Sequence, residues 1–219
     1  MERHFDEQLT ILKNTLIKMS ALREAMITDA IQVLCERNAS AVPRIREHEE
    51  QVNRLQIEID GICLRLIALY QPTAGDLRFI LGAVKTNGDL ERMADLAINI
   101  CDKTERLLEE PPLGPLATSL PDMAALAGSM VKESLHAYVN RSSDRARTVL
   151  LRDDQLDDMN RRITADLLAL MQKDSGMIKR ALNLLLIARN LERIGDHATN
   201  IAENAIFVVK GLDVRHHHG

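Results

Sequence analysis

The chain has 219 residues, of which 46% are apolar, 27% charged and only 2% aromatic. That mixture suits helices packed as one large or two small domains, and lacks the aromatic and turn residues an all-β chain needs. The net charge of −4 and the scarcity of aromatic rings argue against direct nucleic-acid binding, which draws on phosphate neutralisation and base stacking.

The helical reading begins with Leu9, Leu12, Leu16, Met19, Leu22, Met26, Ala30 and Val33. Their steps of three and four place them on one face of a long first helix. Arg37-Asn-Ala-Ser-Ala-Val-Pro43 then interrupts it, with Ser40 as the expected cap of the next helix and Pro43 in its first turn. Val52, Leu55, Ile59, Ile62, Leu66 and Leu69 mark the second helix, and Gln71-Pro-Thr-Ala-Gly75 breaks it. Leu77, Ile80, Val84, Leu90, Ala94, Ala97 and Cys101 mark a third, running to about Glu110. Residues 111–121 hold four of the six prolines and are expected to form a linker.

The pattern restarts beyond it. Met123, Leu126, Met130, Leu135 and Tyr138 predict a fourth helix, and Leu150, Leu156, Met159, Ile163, Leu167 and Leu170 a fifth. After the break Asp174-Ser-Gly176, Ile178, Leu182, Leu185, Leu191, Ile194, Ala198 and Ile201 predict a sixth helix that stops at Gly211. The expected architecture is all-α: a three-helix bundle over 1–110, a linker over 111–121 and a second three-helix bundle over 122–219, with shallow crossings. No apolar run reaches the ~20 residues of a membrane span, and the charged start Met1-Glu-Arg-His-Phe-Asp-Glu lacks a leader's apolar stretch, so the expectation is a cytoplasmic protein. Cys35, Cys63 and Cys101, odd in number and without a CxxC pair, read as small apolar residues in a reducing compartment.

The two halves are related. Leu90-Glu-Arg-Met-Ala-Asp-Leu-Ala-Ile-Asn-Ile100 lies 101 residues before Leu191-Glu-Arg-Ile-Gly-Asp-His-Ala-Thr-Asn-Ile201, and seven of the eleven positions are identical. Chance gives fewer than about one match at ordinary residue frequencies. The second helices align at an offset of 104, which sets Glu49, Val52, Asn53, Leu55 and Ile59 against Asp153, Leu156, Asp157, Met159 and Ile163. A unit of this length is a duplicated bundle, not a solenoid repeat.

The repeat carries acids. Glu91, Asp95 and Asn99 stand four apart, and Glu192, Asp196 and Asn200 repeat them. At about 100° per residue each trio covers one strip of helix, to which Asp102 and Glu203 return. Like charges at (i, i+4) repel by roughly 0.2–0.5 kcal/mol, and a cation is the simplest offset. Carboxylate and amide oxygens suit Mg²⁺, Mn²⁺ or Ca²⁺, and iron also. Glu49 with Asn53 and Asp153 with Asp157 have the same spacing and flank the apolar seam, so acids of a second and a third helix could share one groove. The competing reading is a solvated face on which Arg92 reaches Asp95 and Arg193 reaches Asp196.

Other motifs are thin. Glu133-Ser-Leu-His136 has di-iron spacing but no second copy. His48 and His197 read as boundary histidines, and no phosphate loop, HExxH or nucleophile elbow is present.

Leu90-Glu-Arg-Met-Ala-Asp95, Leu191-Glu-Arg-Ile-Gly-Asp-His-Ala-Thr-Asn-Ile201 and Gln71-Pro-Thr-Ala-Gly-Asp-Leu-Arg78 resemble the signature of the PhoU family of phosphate-signalling regulators, and Val209-Lys-Gly-Leu-Asp-Val-Arg-His216 resembles the family's C-terminal segment. The resemblance covers nearly the whole chain and sets His216 apart from His217 and His218, which could be an expression remnant. It implies two pseudo-symmetric three-helix bundles with metal ions (Mg, Mn, Fe or Zn) on E(D)xxxD motifs. Carried onto this chain, those motifs are Glu91/Asp95 and Glu192/Asp196, with Glu49/Asn53 and Asp153/Asp157 on the second helices. Asn53 departs from the acidic pattern, so the first-half site is expected to be weaker or to prefer another metal.

The resemblance further implies a regulator that restrains the phosphate-starvation response and phosphate uptake. It would link the ATPase subunit of a phosphate ABC transporter to a phosphate-sensing histidine kinase, reaching the membrane only through these partners and catalysing no reaction. A second copy of the chain is a further candidate partner, because bundles can pair through an apolar face. Two alternatives stand beside this reading: a carboxylate-bridged metal enzyme, which needs an open metal position, and a purely structural helical scaffold.

Overall fold

The protein is described from a computed structural model covering residues 2–111 and 119–214. Residues 112–118, the middle of the predicted linker over 111–121, and the terminal His216, His217 and His218 lie outside the described residues.

Six long helices account for nearly all of it: α1 (Glu2–Glu36), α2 (Val42–Tyr70), α3 (Ala74–Leu108), α4 (Ser119–Val139), α5 (Ser143–Lys173) and α6 (Ile178–Lys210). The described residues contain no strand. Leu12, Leu16, Met19, Met26 and Ala30 of α1, and Val52, Ile59, Ile62 and Leu66 of α2, are buried as their spacing predicts.

Helix ends follow local chemistry. Arg37, at φ 53°, closes α1 in the left-handed region, and its guanidinium donates to the carbonyls of Leu107, Leu108 and Glu110 at 3.2, 2.8 and 2.6 Å. A cation is thereby set on the unsatisfied C-terminal carbonyls of α3. Gly211, at φ 68°, ends α6 where a left-handed residue is needed. Ser40 does not cap α2. It lies in a one-turn 3₁₀ segment, Ala39–Ala41, where its amide donates to the side chain of Asn38; Ala41 precedes α2 without a side-chain cap, and Pro43 occupies the first turn.

Two further expectations need correction. α4 starts at Ser119, so residues 119–121 are helical; Pro121 is tolerated because first-turn amides have no partner to lose. Leu69, Val84, Ile178 and Leu182 are 67%, 42%, 47% and 48% exposed, and Cys35 is exposed too. Periodicity fixes which way a helix faces, but not how far its neighbour extends along it.

α1, α2 and α3 pack on one another, as do α4, α5 and α6. The two lobes join chiefly through α3 against α6, supported by α1 against α4. α3 and α6 run antiparallel: Arg78 reaches the carbonyl of Val208 while Asp89, further along α3, meets His197, earlier in α6. The ring of Tyr138 (α4) stacks on Phe79 (α3) at 5.0 Å, and its hydroxyl donates to the Phe79 carbonyl. Gly82 admits that ring, since a Cβ there would lie 3.0 Å from the Tyr138 side chain.

Candidate functional site

In the second lobe the acids follow from the packing seam. Leu156 of α5 and Leu191 of α6 are fully buried. Asp157, next to Leu156, and Glu192, next to Leu191, are therefore turned to the seam's edge, with Asp153 and Asp196 one turn away on either helix. Gly195 sets the spacing: a Cβ there would stand 2.2 Å from Leu156 Cδ2. A glycine thus lets α5 approach α6 closely, and the same approach brings two pairs of acids within each other's field.

The electrostatics record that proximity. Burial pushes the Asp153 carboxyl up to about 6, and the charges of Asp157, Asp196, Asp154 and Glu192 push in the same direction. Glu192 is raised by burial and then by Asp196 and Asp157, against Arg189 and Arg193. Asp196 is raised by burial and then by Asp157, against His197, Arg193 and Arg189. The Asp153 Oδ1 atom is buried with no hydrogen-bond partner, which is costly for a carboxylate oxygen. All four predicted acids, Asp153, Asp157, Glu192 and Asp196, thus act on one another across two helices.

The first lobe is looser. Glu49 and Glu91 are half-buried; Asn53, Asp95 and Asn99 are exposed. Burial and then Asp95 raise Glu91, while Arg92 and His197 act the other way; no α2 group contributes. Arg46 of α2 instead pairs with Asp102 at 3.0 Å and Glu105 at 2.9 Å, so Asp102 is committed to an arginine and not to the acidic strip. His48, beside Glu49, has a buried Nδ1 without a partner.

Between the lobes, Asp89 of α3 is hydrogen-bonded to His197 Nδ1 at 2.9 Å and accepts from the Asn200 amide at 3.3 Å. Asn200 is therefore turned toward α3, away from the acids of α5. Nothing in the spacing singles out Asp89. The signal lies in two departures from the repeat: Asp89 aligns with Asn190, and His197 with Leu96. These substitutions place the hydrogen-bonded pair on one side of the pseudo-dyad only.

The salt-bridge reading of the acids is not realised. Among the described residues neither Arg92 with Asp95 nor Arg193 with Asp196 forms an ion pair, whereas Arg161 with Asp158 does at the same spacing. The donor chemistry suits a hard cation: four carboxylates, one with a buried and unpartnered oxygen. Such an ion would supply positive charge that offsets their repulsion, held by Asp153, Asp157, Glu192 and Asp196. The site is not closed beforehand, for among the described residues no group of three or more His, Cys, Asp or Glu side chains is drawn together as a ligand shell.

Fold and site define a class: a duplicated all-helical protein with an oxygen-donor face in each half. The PhoU domain model matches the chain twice, over residues 16–104 and 120–205. The chain is 37% identical to a phosphate-specific transport system accessory protein PhoU homolog of Zymomonas mobilis, over 94% of this chain and 87% of that one. It is 36% identical to the homolog so named in Aquifex aeolicus, over 97% and 96%. The crystal structure of PhoU from Pseudomonas aeruginosa superposes with a TM-score of 0.91 at 33% identity, covering 95% of this chain and all of the other. A phosphate transport system regulatory protein PhoU from Streptococcus pneumoniae superposes with a TM-score of 0.88 at 26% identity, over 96% and 99%. The chain belongs to the PhoU family.

Proposed function

We propose that this protein is a regulatory accessory of phosphate-specific transport, acting in the cytoplasm as an adaptor and not as an enzyme. The observation that carries the reading is family membership in both halves, with relatives named for this system along nearly their whole length. No helix among the described residues is long and apolar enough to cross a membrane, so contact with the membrane would run through partners. Those partners are the ATPase subunit of a phosphate ABC transporter and a phosphate-sensing histidine kinase, and the output is restraint of uptake and of the phosphate-starvation response when phosphate is plentiful.

Cation occupancy of the acidic faces, the second lobe's before the first's, would change the charge a partner meets. Deleting the gene and assaying alkaline phosphatase in phosphate-rich medium tests the role. Raised activity that the wild-type gene suppresses supports it; full repression in the deletion strain overturns it. Complementation with Asp153→Asn/Asp157→Asn separates the metal from the role: suppression by this variant removes cation binding from the mechanism and leaves the regulatory assignment standing.

A further inference from the structure

The chain has three Phe and two Tyr rings. Among the described residues Phe79 carries two cations, Lys13 Nζ at 5.5 Å and Arg141 Cζ at 5.1 Å from its centroid, and Phe207 carries Lys85 Nζ at 5.8 Å. Tyr138 is buried against Phe79. The other two rings, Phe5 of α1 and Tyr70 of α2, are half-buried and lie 5.5 Å apart with their planes tilted by 55°. No cation of the described residues stands over either. They wall a cup of about 380 Å³ that Asp6 and Asp76 also line.

Negative potential converges on this cup. Asp6 is exposed and forms no ion pair among the described residues. Asp76 accepts from Arg141 through Oδ1 at 2.7 Å and from the Thr73 hydroxyl through Oδ2 at 3.5 Å. α2 ends at the cup with no basic residue in its last turn, so its final carbonyls keep the partial negative charge of a helix C-terminus. Pro72 has no amide to offer them. The second lobe differs: at the offset of 104 Leu69 aligns with Lys173, which α5 carries in its last turn. Gln71, at φ 45°, turns the chain. Gln71, Pro72, Thr73 and Asp76 then line the cup, which gives a use to a motif that the acidic strips leave without one.

We infer that the cup receives an arginine side chain of a partner protein; that the bearer is a protein rests on the adaptor reading above. A planar guanidinium stacks on a ring face while its fork of N–H groups reaches carboxylate and carbonyl oxygens, so rings and acids are satisfied together. A lysine ammonium is a compact, strongly hydrated charge and uses the rings less well. An apolar side chain would desolvate Asp6 without pairing it, and an acidic one would meet like charge.

The first test titrates the full chain with N-acetyl-arginine amide and follows the ring signals by NMR. Those of Phe5 and Tyr70 should shift saturably, with a Kd of about 1–10 mM, and the neutral isostere N-acetyl-citrulline amide should leave them in place. Tyr70→Leu and Asp6→Asn should each weaken binding about threefold; Asp6 is exposed, so its variant keeps the fold. The second test installs a benzophenone side chain at exposed Thr10, one turn along α1 from Asp6, and irradiates the cell lysate. The expected result is a protein adduct that N-acetyl-arginine amide suppresses, the citrulline isostere spares and Asp6→Asn weakens. No saturable shift, equal binding of the isostere, or binding indifferent to Asp6→Asn overturns the site. Saturable binding without a protein adduct, or with adducts the competitor leaves unchanged, overturns the partner. Neither test reads phosphate repression, so failure of the regulatory assignment and failure of this site are told apart.

Discussion

Asn53 in the first lobe stands where the second lobe has Asp157, and Glu49 stands where it has Asp153. On α3 and α6 the acids are conserved between the copies, as Glu91/Asp95 and Glu192/Asp196, yet only in the second lobe do acids of both helices shift one another. The same helix plan therefore gives two different sites. Where α5 approaches α6 over Gly195, like charges are compressed and a carboxylate oxygen is stranded. In the first lobe an arginine from α2 satisfies acids further along α3. Identical motifs thus become a strained acid cluster or part of a solvated face according to what the neighbouring helix contributes.

The sharpest way to break this contrast is to add the cation. At a hundredfold excess over Kd, Mn²⁺ or Mg²⁺ should raise wild-type stability by about 2.7 kcal/mol. Asp153→Asn/Asp157→Asn should lose most of that gain and Glu91→Gln/Asp95→Asn little of it; thermal melts with and without chelator read the difference. Equal losses in the two variants would remove the asymmetry.

Gly195 gives the next effect. Gly195→Val drives a branched side chain into Leu156 and should cost about 1–3 kcal/mol in urea unfolding. Ala94→Gly, at the equivalent place in α3, should cost about 1 kcal/mol through helix propensity. A tolerated Gly195→Val would mean that close helix approach is not what gathers the acids.

pH sharpens the comparison without metal. The Asp153 carboxyl moves from an ordinary 3.8 to about 6 in the folded state, so the folded chain holds the proton more tightly than the unfolded one. Stability therefore falls as pH rises through this window, and the penalty is complete above it. Discounted for solvent screening of a half-exposed group, it is about 1 kcal/mol. Metal-free Asp153→Asn should gain that much at neutral pH and nothing below about pH 3, where the carboxyl is protonated in both states. A variant whose pH profile overlays the wild type would dissociate the cluster from stability.

The smallest effect lies between the lobes. His197→Leu, which copies Leu96, should lose the hydrogen bond to Asp89 and cost about 0.5–1.5 kcal/mol. In the reverse direction Leu96→His should gain nothing comparable, since Asn190 is a weaker acceptor than a carboxylate. Denaturant titration of both variants measures the difference.

Much of the architecture was legible beforehand. Leu9 to Val33 and Val52 to Leu66 announced their helices by spacing alone, because a helix that buries one face must repeat apolar residues at its own period. Gly211 announced its stop because only a left-handed residue ends that helix smoothly. The caps were read less well. Ser40 looked like an N-cap, but Asn38, two residues earlier, tightens a 3₁₀ turn first and takes up the Ser40 amide. The acids of both lobes were legible as candidates because duplication preserved them. Their unequal circumstances were not, for nothing in the run Leu191 to Ile201 says that Leu156 will press against Gly195.

The sequence by itself determined the all-helical class, the doubling of the bundle and the placement of oxygen donors beside each seam. These follow from periodicity and spacing within single helices, which the local backbone geometry converts directly into faces. Only the tertiary structure decided which donors confront one another, that Arg46 withdraws Asp102 from the strip, and that Asp89 and His197 join the lobes on one side alone. Those outcomes depend on distances between helices far apart in the chain, and side-chain volume at the crossing points sets such distances.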